Sequence, residues 1–262
     1  MINSTDQLGN KIKLDKIPDK IISLVPSQSE LLWDLGLQKE LIGITKFCIH
    51  PNKMFTSIAK IGGTKNINIE KVKSFNPDLI IANKEENQKE QIEELQKFFP
   101  VWISDIYNLT DALNMITELG KLLNKKNVAD LLANSINNKF ESINKIIKKK
   151  NVVYLIWQQP IMAASSNTFI DSMLNVCGFN NLIENKSSRY PEVSAKELIN
   201  LNPDFVFLSS EPYPFKKNHI DFYKKLLPNS KVILVDGEFF SWYGSRLKFA
   251  PDYFNELLTS LI

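Results

Sequence analysis

The chain repeats one pattern, IEKVKSFNPDLII at residues 69–81 and AKELINLNPDFVF at residues 195–207. Each copy reads as a short amphipathic helix, an Asn-Pro-Asp turn and an apolar run typical of a buried strand. Proline ends the helix because it lacks an amide hydrogen and its ring clashes with the preceding turn. The repeat therefore predicts two halves that are built alike.

The similarity between the halves extends in both directions from this repeat. Upstream lie the β-branched runs KIISLVP at 20–26 and NVVYLIW at 151–157, each followed by a helical stretch that ends at a glycine, Gly36 or Gly178. Downstream lie the strand-like runs VWIS at 101–104 and KVILVD at 231–236. Strands that alternate with helices indicate parallel sheets with right-handed crossovers. The predicted fold class is α/β, with two lobes of parallel sheet and flanking helices.

A single long helix is expected to join the lobes. From residue 127 to residue 148 apolar residues recur at helical spacing, and the stretch contains neither glycine nor proline. At about 1.5 Å per residue, such a helix would be roughly 33 Å long. The predicted domains are an N-terminal lobe at 1–122, a connecting helix at 123–150 and a C-terminal lobe at 151–262.

Composition excludes several classes of protein. The 262 residues carry a net charge of +3, which is too balanced to indicate a nucleic-acid partner. No apolar run is long enough for a membrane span, and no leader is visible at the N-terminus, which predicts a cytoplasmic protein. A periplasmic or membrane-associated location is the alternative if a leader was removed. Cys48 and Cys177 form no metal or CxxC pattern and are expected to be buried.

Five motifs together resemble the class III substrate-binding proteins of ABC transporters, the helical-backbone metal receptors, and most closely their cobalamin-binding branch. The motifs are IISLVPSQSELLWDLGL, IGGTKNINIEKVKSFNPDLIIAN, MLNVCGFNNLIE, YPEVSAKELINLNPDFVF and FFSWYGSRL. The resemblance implies a monomer with no intrinsic cofactor, which holds cobalamin, haem or an iron–siderophore complex in the cleft between its lobes. Two pocket tryptophans of the cobalamin branch correspond to Thr64 and Asn83 here.

Candidate ligand contacts are expected in loops at the carboxyl ends of strands, which is the usual place for ligands in open α/β sheets. His50 follows the strand LIGIT and is a candidate axial metal ligand or polar contact, with a surface or capping role as the alternative. The aromatic cluster FFSWYGSR suits a large flat ligand, with core packing of its phenylalanines as the alternative. Ordinary loop contacts are the alternative for the residues after the C-terminal strands, and a solvated helix start is the alternative for Asn83. The predicted ligand contacts are His50, Asn83, Trp157, Tyr190, Glu211, Tyr213, Phe240, Trp242, Tyr243 and Arg246.

A permease partner is implied by the resemblance, because family members present one glutamate on each lobe to arginines of the transporter. Glu70 matches the first of these positions. Lys196 occupies the second, with Glu197 one residue later, and a shift of one residue turns a helical side chain by about 100°. Docking on a permease through Glu70 and Glu197 is therefore predicted to be weak.

No motif supplies the nucleophile, base and orienting group that an enzyme needs. Ser27 and Glu30 read as an S-x-x-E capping box at the first helix. The sequence thus predicts a substrate-binding protein for ABC-type uptake and not an enzyme. The alternatives are a cytoplasmic salvage protein or chaperone for metal chelates or corrinoids, which could be enzymatic, and an interaction module with an empty cleft.

Overall fold

A computed structural model describes residues 2–146, 148–184 and 188–261. The chain divides into two compact units, and each contains parallel sheet and helices, as the α/β prediction requires. Unit one comprises Met1–Ile106, Thr110–Asn138 and Trp242–Lys248. Unit two comprises Tyr107–Leu109, Lys139–Ser241 and Phe249–Ile262.

Unit one is built on a parallel sheet in the order β5-β4-β3-β6-β7, beside a small antiparallel β1-β2 hairpin. Its strands are β1 (Ile2–Thr5), β2 (Lys11–Leu14), β3 (Ile21–Ser23), β4 (Leu41–Ile44), β5 (Ala59–Lys60), β6 (Leu79–Asn83) and β7 (Val101–Ser104). The helices of this part of the chain are α1 (Pro26–Asp34), α2 (Asn52–Ser57), α3 (Ile69–Phe75), α4 (Lys89–Gln96), α5 (Leu109–Leu122) and α6 (Lys126–Glu141). β3 and β6 are buried throughout, because helices cover both faces of a parallel sheet.

Unit two is built on a parallel sheet in the order β10-β8-β11-β12, with β9 antiparallel to β8. Its strands are β8 (Lys150–Trp157), β9 (Met162–Ala163), β10 (Phe179–Asn181), β11 (Phe205–Ser209) and β12 (Lys231–Val235). The later helices are α7 (Phe169–Val176), α8 (Ala195–Leu201), α9 (Lys217–Leu226), α10 (Gly237–Ser241), a 3₁₀ turn at Ser245–Lys248 and α11 (Ala250–Leu261). β8 and β11 carry the core, where Val153, Leu155, Val206 and Leu208 are inaccessible to solvent.

The Asn-Pro-Asp turns behave alike in the two units. Asn76 and Asn202 end α3 and α8 in the left-handed region, with φ of 46° and 42°, which asparagine tolerates better than most residues. Asp78 then accepts hydrogen bonds through Oδ2 from the amides of Asp19 and Lys20, at 2.9 and 3.0 Å, just before β3. Asp204 accepts the equivalent bond from the Asn151 amide at 2.8 Å, at the start of β8. Each turn therefore ends a helix and fixes the start of a neighbouring strand.

The predicted helix from 127 to 148 is too long. α6 runs from Lys126 to Glu141, and Ile147 lies outside the described residues. The backbone leaves the helix because other groups take its amides: Asn144 N–H donates to Asn255 Oδ1 at 2.8 Å, and Ile146 N–H donates to the Cys177 carbonyl at 3.1 Å. These tertiary hydrogen bonds replace the helical ones, although the apolar spacing continues. The domain limits at 122/123 and 150/151 stay a prediction.

Among the helices of the described residues, none is both long and apolar enough to cross a bilayer.

Candidate functional site

His50 and Trp242 form the centre of the candidate site in unit one. His50 lies beyond the carboxyl end of β4, and Trp242 begins the short segment that belongs to unit one late in the chain. Their ring centroids are 5.6 Å apart at 66°, an edge-to-face arrangement that aromatic rings favour. Trp242 is 7% exposed, so much of the indole is already packed within the protein. The structure thus brings together two of the predicted ligand contacts.

Arg246 is also drawn into this group, but its guanidinium has a partner within the chain. Nε donates to Glu30 Oε2 at 2.9 Å and Nη2 donates to Oε1 at 2.8 Å, which is a bidentate ion pair. The same guanidinium carbon lies 5.0 Å from the centroid of the Trp242 ring, within cation–π range. The fork predicted to face a ligand is therefore engaged by α1.

The predicted capping box at Ser27 and Glu30 is wrong. Val25 is the N-cap of α1, and no side chain caps the helix there, because valine has no hydrogen-bond acceptor in its side chain. Glu30 is buried and bonds Arg246 instead. Burial raises the pKa of the Glu30 carboxyl, and this effect exceeds the opposing effects of the Arg246 hydrogen bonds and charge.

The segment Trp242–Lys248 packs along α1 at three successive points. A Cβ at Gly244 would lie 2.2 Å from the Ser27 carbonyl oxygen, so only glycine allows this approach. One turn along α1, Arg246 meets Glu30, and a further turn along, Lys248 Nζ lies 3.1 Å from Asp34 Oδ2. Positions 27, 30 and 34 share one face of α1, and that face fixes the segment.

Two apolar side chains beside His50 were missed from the sequence. Phe47 and Ile49 are 50% and 47% exposed, in the loop that follows β4. The Lys46 ammonium lies 5.1 Å from the centroid of the Phe47 ring. The available signal was a run of large apolar residues within a loop, KFCIH, where polar residues are the norm.

Asn83 is buried, and its side chain organises the loop after β6. Its Nδ2 donates to the carbonyl and hydroxyl oxygens of Ser104, and its Oδ1 accepts from the amides of Glu85 and Glu86. These bonds use both donor hydrogens and both acceptor sites of the amide. The position explains why a polar residue ends β6 without any ligand.

In unit two, an aromatic group stands at the carboxyl end of β8. Trp157 is 39% exposed, and its ring lies 5.5 Å from that of Tyr213 at 65°. His219 Nδ1 accepts from the Lys216 amide at 2.8 Å, so its proton lies on Nε2, which faces the Tyr213 hydroxyl at 3.2 Å. His219 lies in the first turn of α9, among lysines.

The remaining predicted contacts do not form one group. In unit two, the Ser241 hydroxyl donates to Glu211 Oε1 at 2.6 Å, and Tyr190 is half-buried, with its amide donating to Ser188 Oγ. Phe240 is fully buried against Tyr154 and Phe254, at 5.2 and 4.9 Å, and is core. In unit one, Tyr243 is 4% exposed.

No protein-built metal centre is present among residues 2–146, 148–184 and 188–261, where no three His, Cys, Asp or Glu side chains come together. Zinc sites take three or four protein ligands. The role of His50 as an axial metal ligand or a polar contact stays a prediction.

The predicted docking residues lie on α3 and α8, which have the same length and end at equivalent left-handed asparagines. Glu70 and Lys196 both hold the second helical position, six residues before the left-handed asparagine. Glu70 is 83% exposed and lies 3.0 Å from Lys73. Glu197 holds the third position, where its Oε2 accepts from the Ser194 amide at 2.8 Å and the Ser194 hydroxyl at 2.7 Å. Glu197 therefore closes a capping box. Relative to Glu70 in α3, it lies one position later in α8, as counted from the sequence.

Comparison with known proteins identifies the family. The family model of periplasmic binding proteins matches residues 21–229. The vitamin B12-binding protein of Vibrio parahaemolyticus is 25% identical over 195 residues, covering 73% of this chain and 70% of that protein. The chain belongs to the periplasmic binding protein family, which confirms the resemblance, and this family consists of substrate-binding proteins.

Solved structures confirm the two-lobed α/β fold. The periplasmic heme-binding protein of Vibrio cholerae superposes with a TM-score of 0.76 at 18% identity, covering 92% of this chain and 98% of that chain. A possible iron-binding periplasmic solute-binding protein of Staphylococcus epidermidis gives 0.75 at 22% identity, covering 94% and 99%. At these identities the structural similarity establishes the fold alone.

The predicted cytoplasmic location is wrong. The family model and the matching structures are those of periplasmic proteins. The first residues of the sequence were a poor guide, because the family is recognised from the strands, turns and helices of residues 21–229.

Proposed function

We propose that this member of the periplasmic binding protein family binds a large metal-chelate ligand, cobalamin-like, haem or ferric siderophore, for delivery to an ABC-type transporter. The observation that carries the proposal is the His50–Trp242 pair beyond the carboxyl ends of the parallel strands of unit one. Ligands of open α/β sheets bind at that edge. The B12-binding relative supports the ligand class.

The chemistry of the pair suits a flat chelate. An indole supplies apolar area and a π face for stacking, and an imidazole supplies one nitrogen for the metal or for a polar edge. Phe47 and Ile49 extend the apolar surface beside His50. In unit two, Trp157 and Tyr213 offer a second aromatic surface, which we propose as a ligand contact in its own right.

The same residues argue against turnover. The Glu30 carboxylate is bound by Arg246, and the Ser27 backbone packs closely against Gly244. Neither is arranged as a nucleophile with an adjacent base. We therefore propose a binding role without catalysis, and the salvage or chaperone alternative finds no support among the related proteins.

Purification from the native host tests the proposed function. Absorption spectroscopy and mass spectrometry of the intact protein should reveal a bound corrinoid, porphyrin or ferric chelate, removable by mild denaturation. Apoprotein titrated with cyanocobalamin, haemin and a ferric siderophore gives the complementary test. A protein that leaves the host without a chromophore and binds none of the three probes would contradict the proposal.

A further inference from the structure

Arg246 makes two contacts within unit one, with Glu30 and with Trp242, that suggest a role other than binding the ligand. Its guanidinium is held by Glu30 through two hydrogen bonds, and the same group lies against the Trp242 ring. The side chains of Arg246 and Glu30 are only 14% and 11% exposed. A buried bidentate pair holds its geometry better than a surface pair, because solvent screens it less.

The surrounding packing restricts the segment to one position. Gly244 touches the Ser27 carbonyl so closely that the backbone can shift little, and Arg246 lies four residues after Trp242. The His50 ring also meets the indole edge to face. The indole thus has the guanidinium and the imidazole as fixed neighbours within unit one.

We propose that Arg246 is a positioning residue: the Glu30–Arg246 pair of α1 and the 242–248 segment fixes the orientation of the Trp242 indole before a ligand arrives. The partner of the guanidinium is then Glu30, and not a carboxylate or amide of the ligand. Preformed binding groups lose less conformational entropy when the ligand arrives, so the pair contributes to affinity without touching the ligand. This proposal rests on the proposed function only for its effect on affinity.

The first test reads the indole directly and needs no ligand. Protein labelled with 5-fluorotryptophan should give four ¹⁹F resonances, for Trp33, Trp102, Trp157 and Trp242, and Trp242→Phe assigns the last. Glu30→Gln and Arg246→Lys should shift or broaden the Trp242 resonance and leave that of Trp157 in place. Lys248→Gln, which removes the more exposed Lys248–Asp34 pair of the same segment, is the matched control and should leave the Trp242 resonance unmoved.

The second test separates positioning from direct contact. Glu30→Arg combined with Arg246→Glu exchanges the charges, so the pair can re-form while position 246 can no longer present a cation. We expect Glu30→Arg alone and Arg246→Glu alone each to weaken binding of the cyanocobalamin or haemin probe about tenfold. The double variant should recover most of this affinity and return the Trp242 resonance to its wild-type position.

Two results would overturn the proposal. One is a Trp242 resonance that is unchanged in both Glu30→Gln and Arg246→Lys. The other is an exchanged protein that regains the resonance but not the affinity, which would make Arg246 a direct ligand contact. If the wild type binds neither cyanocobalamin nor haemin, the ¹⁹F result alone decides the role of the pair. If the exchanged protein does not fold, the two single variants decide.

Discussion

The helices α3 and α8 show which parts of a repeated element the fold requires and which parts are available for function. Both have seven residues, both end at a left-handed asparagine, and both are followed by an aspartate that binds the start of a strand. The charges of their second and third positions are reversed: Glu70 and Lys71 in α3 correspond to Lys196 and Glu197 in α8. The Asn-Pro-Asp turn is thus fixed by backbone geometry. The first turn of each helix is exposed, and its charges can differ between the two units.

The largest expected effect concerns the charge at the second helical position. Lys196→Glu should improve docking on a reconstituted cobalamin-type permease, because the lysine would place a positive charge opposite an arginine of the transporter. Like charges in contact at an interface cost several kcal/mol. Glu197 does not substitute for it, since the Ser194 capping box holds its carboxylate.

A surface-binding titration with wild type beside the variant measures this effect. Lys217→Glu, the same charge change at the exposed start of α9, is the control and should leave docking unaltered. Glu70→Lys should abolish any docking that remains. Tight docking by the wild type that does not respond to Lys196→Glu would show that the transporter does not require a carboxylate at the second position of both helices.

The aspartates of the two turns should differ in their contribution to stability. Asp78→Ala removes the acceptor of two backbone amides and should lower the free energy of unfolding by about 2 kcal/mol. Asp204→Ala removes the acceptor of the Asn151 amide and a surface ion pair with Lys150, and should cost about 1 kcal/mol. Urea unfolding followed by circular dichroism measures both, and equal losses would show that the extra bond of Asp78 adds nothing.

A smaller difference is expected at the N-caps. Ser194→Ala breaks a capping box with bonds in both directions and should cost about 1–2 kcal/mol. Asn68→Ala removes the one bond that its Oδ1 accepts from the Lys71 amide at 3.0 Å, and should cost about 1 kcal/mol at most. Thermal unfolding of the two variants side by side ranks them, and a larger loss at Asn68 would reverse the comparison.

The smallest effect belongs to the left-handed asparagines. Asn76→Gly and Asn202→Gly should change stability by less than about 1 kcal/mol, because glycine adopts positive φ without strain. Asn76→Ala and Asn202→Ala should both be destabilising, by about 1–2 kcal/mol. Denaturant midpoints of the four variants would show whether the two turns are equivalent, as their φ values of 46° and 42° indicate.

Local sequence patterns were sufficient for the fold class. The Asn-Pro-Asp turns, the β-branched runs and the glycines at helix ends act within a few residues, and Gly36 and Gly178 adopt φ of 82° and 89°, as expected for helix termini. The end of α6 could not be predicted, because Asn255 and Cys177, more than 30 residues away, take the amides that a longer helix would use.

The site was predicted less well, for the same reason. His50 and Trp242 were both named from the loops that hold them, but their contact joins residues 192 positions apart. The ion pair of Glu30 with Arg246 spans 216 positions, so a pattern such as S-x-x-E suggested a local cap instead. Turns and helix ends depend on adjacent residues, so the sequence predicts them. The partner of a buried charge depends on which distant residues the tertiary structure brings together.

The central claim, that Trp242 is part of the surface that binds a metal chelate, is tested most directly by one titration. Apoprotein is titrated with haemin and with cyanocobalamin by absorbance, comparing wild type, Trp242→Ala and Phe98→Ala. Phe98 is an exposed aromatic residue of unit one that precedes β7, at the opposite edge of the sheet, and serves as the matched control. We predict that Trp242→Ala weakens binding of the preferred chelate by about 1–3 kcal/mol, as expected for loss of an aromatic anchor, and that Phe98→Ala leaves it unchanged. Equal affinities in all three folded proteins would contradict the account.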